Sequence, residues 1–171
     1  QPLMTLTMPN KAFFNDIHSA IFSQLLRAEK KIQIAMCYFT DKRLLNLLSN
    51  KAFSGVKVEL LIDCNHTNNK MLFGFAAQLG CKLYMLDKGR LMHNKFCIVD
   101  DKVLITGSYN WTNSAKGNFE NIWCELIYHC NYSIAHTSTT FNWNHMKKGI
   151  LPVSSQTEYS ATSIKNLILT S

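Results

Sequence analysis

His93 and Lys95 stand two residues apart in the run His93-Asn94-Lys95, so an extended chain turns the imidazole and the ammonium to the same side. An imidazole is a competent nucleophile near neutral pH, because its pKa in water is about 6.5. An ammonium offers three donors to phosphate oxygens. Gly107-Ser108-Tyr109-Asn110 follows soon after. Its glycine lets the backbone approach a ligand closely, and its asparagine brings an amide donor suited to phosphate oxygens. The same residue types also make ordinary turns, but a turn alone does not account for the proximity to His93 and Lys95. The combined chemistry is attack on phosphorus, with charge neutralisation at the phosphoryl oxygens.

Two carboxylates accompany this set. Asp100 lies on the opposite strand parity from His93. That favours a turn role over direct contact, accepting hydrogen bonds beside Asp101 and Lys102. Glu120, in Asn118-Phe119-Glu120-Asn121, precedes the last predicted strand. A carboxylate there could accept the proton of the second ring nitrogen of His93 and fix its tautomer; an exposed turn glutamate is the competing reading. Lys88, Arg90, Lys102 and Lys116 surround these residues in sequence and are candidates to line a groove for a phosphate backbone. Tyr109 and Trp111 are candidate groove or interface residues, although large aromatics beside a turn are as often core.

The elements that must position these groups follow from periodicity. Phe13, Phe14, Ile17, Ile21, Phe22, Leu25 and Leu26 recur at helical spacing, which predicts a helix over 10–29 capped by Asn10. A second helix is expected over 41–52, with Asp41 as its cap and Gly55 beyond its end, and a third over 67–79, stopped by Gly80. Strands are expected over 32–38, 56–62, 82–86, 96–99, 103–106 and 122–128, and a last helix over 132–147. Alternation up to Leu86 argues for βαβ units, and tight polar turns dominate afterwards. The fold class is α/β: a mixed, largely parallel sheet with helices on both faces. Residues 1–150 form the expected catalytic domain, and 151–171 a Ser/Thr-rich extension.

Composition bounds the partners. The chain has 171 residues, 47% hydrophobic and 17% charged, enough for one domain with a real core. No apolar run has the length of a membrane span. The formal charge of +7 favours polyanions such as nucleic acid or an acidic lipid surface, without choosing between them. The cysteines, at 37, 64, 81, 97, 124 and 130, form no CxxC and no regular zinc spacing. They read mostly as reduced core residues, which leans towards a cytoplasmic setting, with periplasmic and membrane-associated locations as alternatives. His129, Cys130, Cys124 and His136 supply zinc-ligand types without a standard pattern, so no metal site is assigned. The chain opens at Gln1 rather than Met, as it would after removal of a leader or an upstream segment.

His93-x-Lys95 with Asp100, followed by Gly107-Ser108-x-Asn110, resembles the HKD motif of the phospholipase D superfamily. Ala35 to Thr40, Gly55 to Val58 and Leu61 to Asp63 are similar to the opening strands of its small single-motif nucleases, and the likeness covers residues 11–148. Glu120 falls close to where that group carries a histidine-orienting glutamate, with the spacing shifted by a residue. The resemblance implies two motifs facing each other across a twofold axis. One histidine forms a phosphohistidine; the other protonates the leaving oxygen and then activates water. Lys95 and Asn110, contributed twice, neutralise the phosphoryl oxygens, and the scheme requires no cofactor. Because the motif occurs once, one chain holds half a site, and a homodimer is implied. Nucleic acid, DNA or RNA, is the expected substrate. The alternatives are a phospholipid such as cardiolipin or phosphatidylcholine, or an inactive nucleic-acid-binding module.

Overall fold

The computed structural model describes residues 10–68, 71, 73–86, 89, 91–126, 143–150 and 152. Its elements, in chain order, are β1 (Lys11–Phe13), α1 (Ile17–Leu26), β2 (Lys31–Met36), α2 (Lys42–Phe53), β3 (Lys57–Asp63), α3 (Phe73–Gln78), β4 (Lys82–Leu86), β5 (Lys95–Val99), β6 (Val103–Gly107), a 3-10 turn (Ser114–Gly117) and β7 (Ile122–Leu126). Residues 143–147 form a further short helix. The strands make one mixed sheet in the order β1-β7-β6-β5-β2-β3-β4.

The sheet is mixed, as expected, but its parallel part is confined to β2–β3 and β3–β4. β2–β5, β5–β6, β6–β7 and β1–β7 are antiparallel. The two halves differ because the helices α2 and α3 carry the chain back across the sheet after β2 and β3, whereas short turns reverse it after β5. At Asp100 and Asp101, both at φ 53, the chain makes a left-handed two-residue turn that joins β5 to β6, closed by Lys102 N–H donating to Val99 C=O at 2.9 Å. Aspartate tolerates this backbone region better than most residues.

The hydrophobic pattern explains why the central strands are buried on both faces. Ile32, Ile34, Met36, Val58, Leu60, Ile62, Cys97 and Val99 join Ile21, Leu25, Leu44 and Leu48 in the larger core, beneath α1 and α2. Ala35, Leu61, Tyr84, Phe96, Ile98 and Leu104 face the other side, where Trp143 covers them. Glu59, 2% exposed on that second side, accepts from Gln33 Nε2 at 2.9 Å and lies 3.5 Å from Lys147 Nζ, which docks the short helix. Helices therefore flank both faces. Among the described residues, no helix is long and apolar enough to cross a membrane.

Local expectations fared unevenly. Asp41 caps α2, its carboxylate accepting from the N–H groups of Arg43 and Leu44 at 2.9 and 3.1 Å. The first helix starts at Ile17 rather than near Asn10, because Lys11–Phe13 instead add an edge strand to β7. Asn10 Oδ1 accepts from Leu126 N–H at 3.0 Å and pins that edge. Helical periodicity could not expose this, since Phe13 serves either element. α3 is shorter than its expected span, and Gly80, at φ 105, follows it. Most of the expected 132–147 helix and the 151–171 extension lie outside the described residues.

Candidate active site

Strand polarity brings the chemistry-bearing residues to one end of the sheet. Met36, at the end of β2, pairs with Lys95 at the start of β5, and Gly107, at the end of β6, pairs with Ile122 at the start of β7. This end coincides with the carboxyl ends of the parallel strands, where open α/β sheets bind ligands. His93 is exposed and lies just ahead of β5 rather than on it. Among the described residues, no hydrogen bond engages its ring. Lys95 is half-buried, and its Nζ donates to the His93 carbonyl at 3.0 Å. The two residues are thus tied through the backbone of one by the side chain of the other.

The loop after β6 is built by its own contacts. Gly107 is required by packing: a Cβ there would meet the Asn121 carbonyl oxygen at 2.1 Å. The glycine admits β7, which is a different need from the ligand approach expected of it. Ser108 N–H donates to Asn121 C=O at 3.0 Å, and Ser108 Oγ accepts from Asn121 N–H at 3.1 Å. The same hydroxyl donates to the Glu120 carboxylate. Glu120 also receives Asn118 Nδ2 at 3.4 Å, so within one chain it holds the Ser108 loop rather than the His93 ring. Asn110 is partly exposed, with its Oδ1 buried and unpartnered among the described residues.

Tyr109 and Trp111 are core residues, 3% and 2% exposed, not groove residues. Trp111 stacks edge-on against Phe39 at 5.2 Å, and its carbonyl accepts from Thr40 and Asp41 N–H at 2.8 and 2.9 Å. These contacts fasten the Asn110 loop to the start of α2. Burial, with the nearby Asp41 and Glu120 carboxylates, pushes the Tyr109 phenol up to about 12.

Two expectations, Lys102 and Lys116 as groove residues, need correction, while Asp100 takes the scaffold role that its strand parity favoured. Asp100 lies at the far end of β5, about 17 Å along the strand from Lys95 at ~3.3 Å per residue. There its carboxylate accepts from Glu29, Lys30 and Lys31 N–H at 2.9, 2.8 and 2.8 Å, clamping the segment that leads into β2. It belongs to the scaffold rather than to the reacting groups. Burial alone would raise its pKa, but the three backbone donors and Lys102 hold it below the ordinary carboxylate value. Lys102 stands beside Asp100 at the same far end, away from the candidate site. Lys116 is committed inward, its Nζ 3.0 Å from both Asp41 Oδ2 and Asn113 Oδ1. Lys88 and Arg90 lie outside the described residues.

Asp41 is almost fully buried, and His18 Nε2 also lies 2.9 Å from its Oδ2. These are contacts of charge rather than of hydrogen-bond alignment. Burial lowers the His18 pKa, as do Lys116 and Arg43, against the pull of Asp41. Asp63, which the sequence did not point to as part of the site, reaches the segment carrying His93 through a buried hydrogen bond to Met92 N–H, and Asn65 and Asn68 bond in turn to Asp63. Their only signal was an acidic residue closing a strand that is otherwise apolar. Cys37, Cys81, Cys97 and Cys124 are buried and free, and Cys64 is exposed and free. Among the described residues, no three groups of metal-ligating type come together; His129, Cys130 and His136 lie outside them.

The family described as "Cardiolipin synthase, PLD-like domain" matches residues 21–145, most of the chain. The chain belongs to the phospholipase D superfamily. The matched region contains the His93–Lys95 segment, the Ser108–Asn110 loop and Glu120. Mitochondrial cardiolipin hydrolase of Mus musculus is 33% identical over 106 residues, which are 61% of this chain and 48% of that protein. Phospholipase D of Rickettsia typhi is 34% identical over 113 residues, 60% of this chain and 51% of its own length. The chain thus spans about half the length of these curated relatives. The crystal structure of Nuc, a phospholipase D family member from Salmonella typhimurium, superposes with a TM-score of 0.72 at 20% identity, covering 85% of this chain and 99% of that one. That likeness establishes the phospholipase D fold.

Proposed function

We propose that this phospholipase D-superfamily chain is a metal-independent phosphodiesterase that cleaves DNA or RNA through a phosphohistidine, at a site shared by two copies. The observation that carries the reading is the convergence of His93, Lys95, Ser108, Asn110 and Glu120 at one end of the sheet, with the His93 ring exposed and unengaged among the described residues. In the first step a ring nitrogen of His93 bonds to phosphorus, and the bond from phosphorus to the leaving oxygen breaks. The partner's His93, as imidazolium, gives that oxygen its proton. In the second step the partner's His93 takes a proton from water, the water oxygen bonds to phosphorus, and the phosphorus–nitrogen bond breaks. Lys95 and Asn110 from both chains stabilise the phosphoryl oxygens as charge builds on them. Glu120 keeps the Ser108–Asn110 loop in place.

A net charge of +7 suits a polyanionic strand. A second reading, hydrolysis of a phospholipid, is favoured by the names of the curated relatives and by two exposed apolar side chains beside the site. Phe119, next to Glu120, is 110% exposed, and Leu91, two residues before His93, is 51% exposed. Turnover with EDTA present, on single-stranded DNA, duplex DNA, RNA and cardiolipin vesicles, separates these readings. The proposal expects nucleic-acid cleavage that resists EDTA and vanishes in His93→Ala. A need for a divalent ion, activity in His93→Ala, or salt-sensitive binding without turnover overturns it; cleavage of the vesicles alone selects the lipid reading.

A further inference from the structure

The segment that carries His93 has no strand of its own, so something else must set where the ring stands. Met92 N–H donates to Asp63 Oδ2 at 2.8 Å. On the other side of His93, the Asn94 carbonyl accepts from Cys37 N–H at 3.0 Å. Both neighbouring residues are therefore tied, Met92 to the end of β3 and Asn94 to the residue that follows β2.

Those anchors are themselves held by a buried polar cluster. Asp63 is 5% exposed, and its Oδ1 accepts from Asn65 Nδ2 at 2.9 Å. Asn65 Nδ2 also reaches the Cys37 carbonyl at 3.0 Å, and its Oδ1 accepts from Asn68 N–H at 2.9 Å. Asn68, with no exposure, donates to the carbonyls of Cys37 and Asp63 at 2.7 and 2.8 Å and accepts from Phe39 N–H at 2.8 Å. Both polar atoms of the Asn68 side chain are thus bonded to backbone at or just beyond the ends of β2 and β3.

A buried carboxylate is costly unless donors surround it. Ending a strand needs no such group, since a glycine or a water would serve. Here one carboxylate oxygen accepts from Asn65 Nδ2, and the other accepts from a backbone N–H, that of the residue before the proposed nucleophile. A buried, fully bonded network is rigid, and an error of about 1 Å in the place of a reacting atom can cost about a hundredfold in rate.

We propose that Asp63, braced by Asn65 and Asn68, is the positioning residue for His93, fixing the imidazole through the Met92 N–H; this rests on His93 being the nucleophile. Lys95 belongs to the same construction, since its Nζ donates to the His93 carbonyl at 3.0 Å.

The test compares Asp63→Asn with wild type, using bis-p-nitrophenyl phosphate and a single-stranded oligonucleotide. An amide at 63 cannot accept from Met92 N–H and from Asn65 Nδ2 together. The expected result is a kcat about 10- to 100-fold lower, with KM within about twofold, and slower phosphorylation of His93 after an alkaline denaturing quench, which preserves the phosphorus–nitrogen bond. The double variant Asp63→Asn, Asn65→Asp restores the donor–acceptor match between 63 and 65 but loses the donor to the Cys37 carbonyl, so it should regain part of the rate. Replacing the Met92 amide by an ester removes the N–H and sets an ester oxygen against Asp63, and should reproduce the loss, even where Asp63→Asn folds poorly. Wild-type kcat in the ester variant, or a loss accounted for wholly by unfolded protein, overturns the inference. His93→Ala is run alongside. Turnover that survives it removes the reading of His93 and this inference with it. An inert His93→Ala beside a fully active Asp63→Asn and ester variant removes this inference alone.

Discussion

Replacing Asp100 by alanine separates a scaffold role from a chemical one for the aspartate of the motif. The carboxylate accepts three backbone N–H bonds of 2.8–2.9 Å from Glu29, Lys30 and Lys31. Two of them are solvent-exposed, so about 1 kcal/mol each is appropriate, below the range for buried bonds to charged groups. Alanine at φ 53 adds about 1 kcal/mol of backbone strain. The sum is about 4 kcal/mol, or a fall in melting temperature of roughly 8–16 °C for a chain of this size. Asp100→Asn keeps one acceptor oxygen and tolerates the left-handed backbone, so it should lose about half as much. Because the folded-state pKa is depressed, this stabilisation is complete above the ordinary carboxylate value of about 3.9 and is lost as pH falls through the lower folded value. The wild-type advantage over Asp100→Ala should therefore shrink in that acid window and stay flat at neutral pH. The assays are thermal melting across pH and turnover per folded molecule. Unchanged melting with abolished turnover would refute the reasoning and return the carboxylate to the chemistry.

Gly107→Ala should displace the start of β7 or the loop that follows β6, because the clashing atom, Asn121 O, is backbone; a loss of several kcal/mol, on the order of an overpacked core site, and of turnover is expected in denaturant melts and activity assays. Glu120→Gln weakens the acceptor for Ser108 Oγ, so turnover should fall at least about tenfold while melting changes little; an unchanged kcat contradicts the role given to the loop. Of the five described cysteines, Cys64 should react rapidly with a thiol reagent near pH 8, whereas Cys81 and Cys124, pushed by burial up to about 12 and about 11, should stay unreacted until unfolding. Peptide mapping after a timed pulse of label reads this directly.

Much of the scaffold was legible because its strands are apolar and its helices punctuated. β4, bounded by Gly80 and by the change in pattern after Leu86, could be read from residue types alone. α2 was equally clear, since Asp41 is a cap and Leu44, Leu45 and Leu48 mark one face. β1 was hidden because three residues beside a helix carry no period of their own, and their partner β7 is distant in sequence. His93, Lys95, Ser108 and Asn110 could be named from type and spacing. What spacing cannot reveal is direction along a strand: Asp100 is five residues from Lys95 in sequence and a full strand away in space. The destination of Lys116 was illegible for a related reason, because its partner Asp41 lies in another element. Asp63 and Asn68 act through backbone groups, which leave no trace in residue spacing.

The central claim is that two imidazoles, one per chain, work on one phosphate. A mixed dimer of one wild-type chain and one His93→Ala chain, purified by different tags and assayed before the chains exchange, tests it. The account predicts turnover of a few per cent of wild type or less, because no site in that dimer holds both histidines. Half the wild-type rate would show that each chain carries a complete site, and would contradict the account.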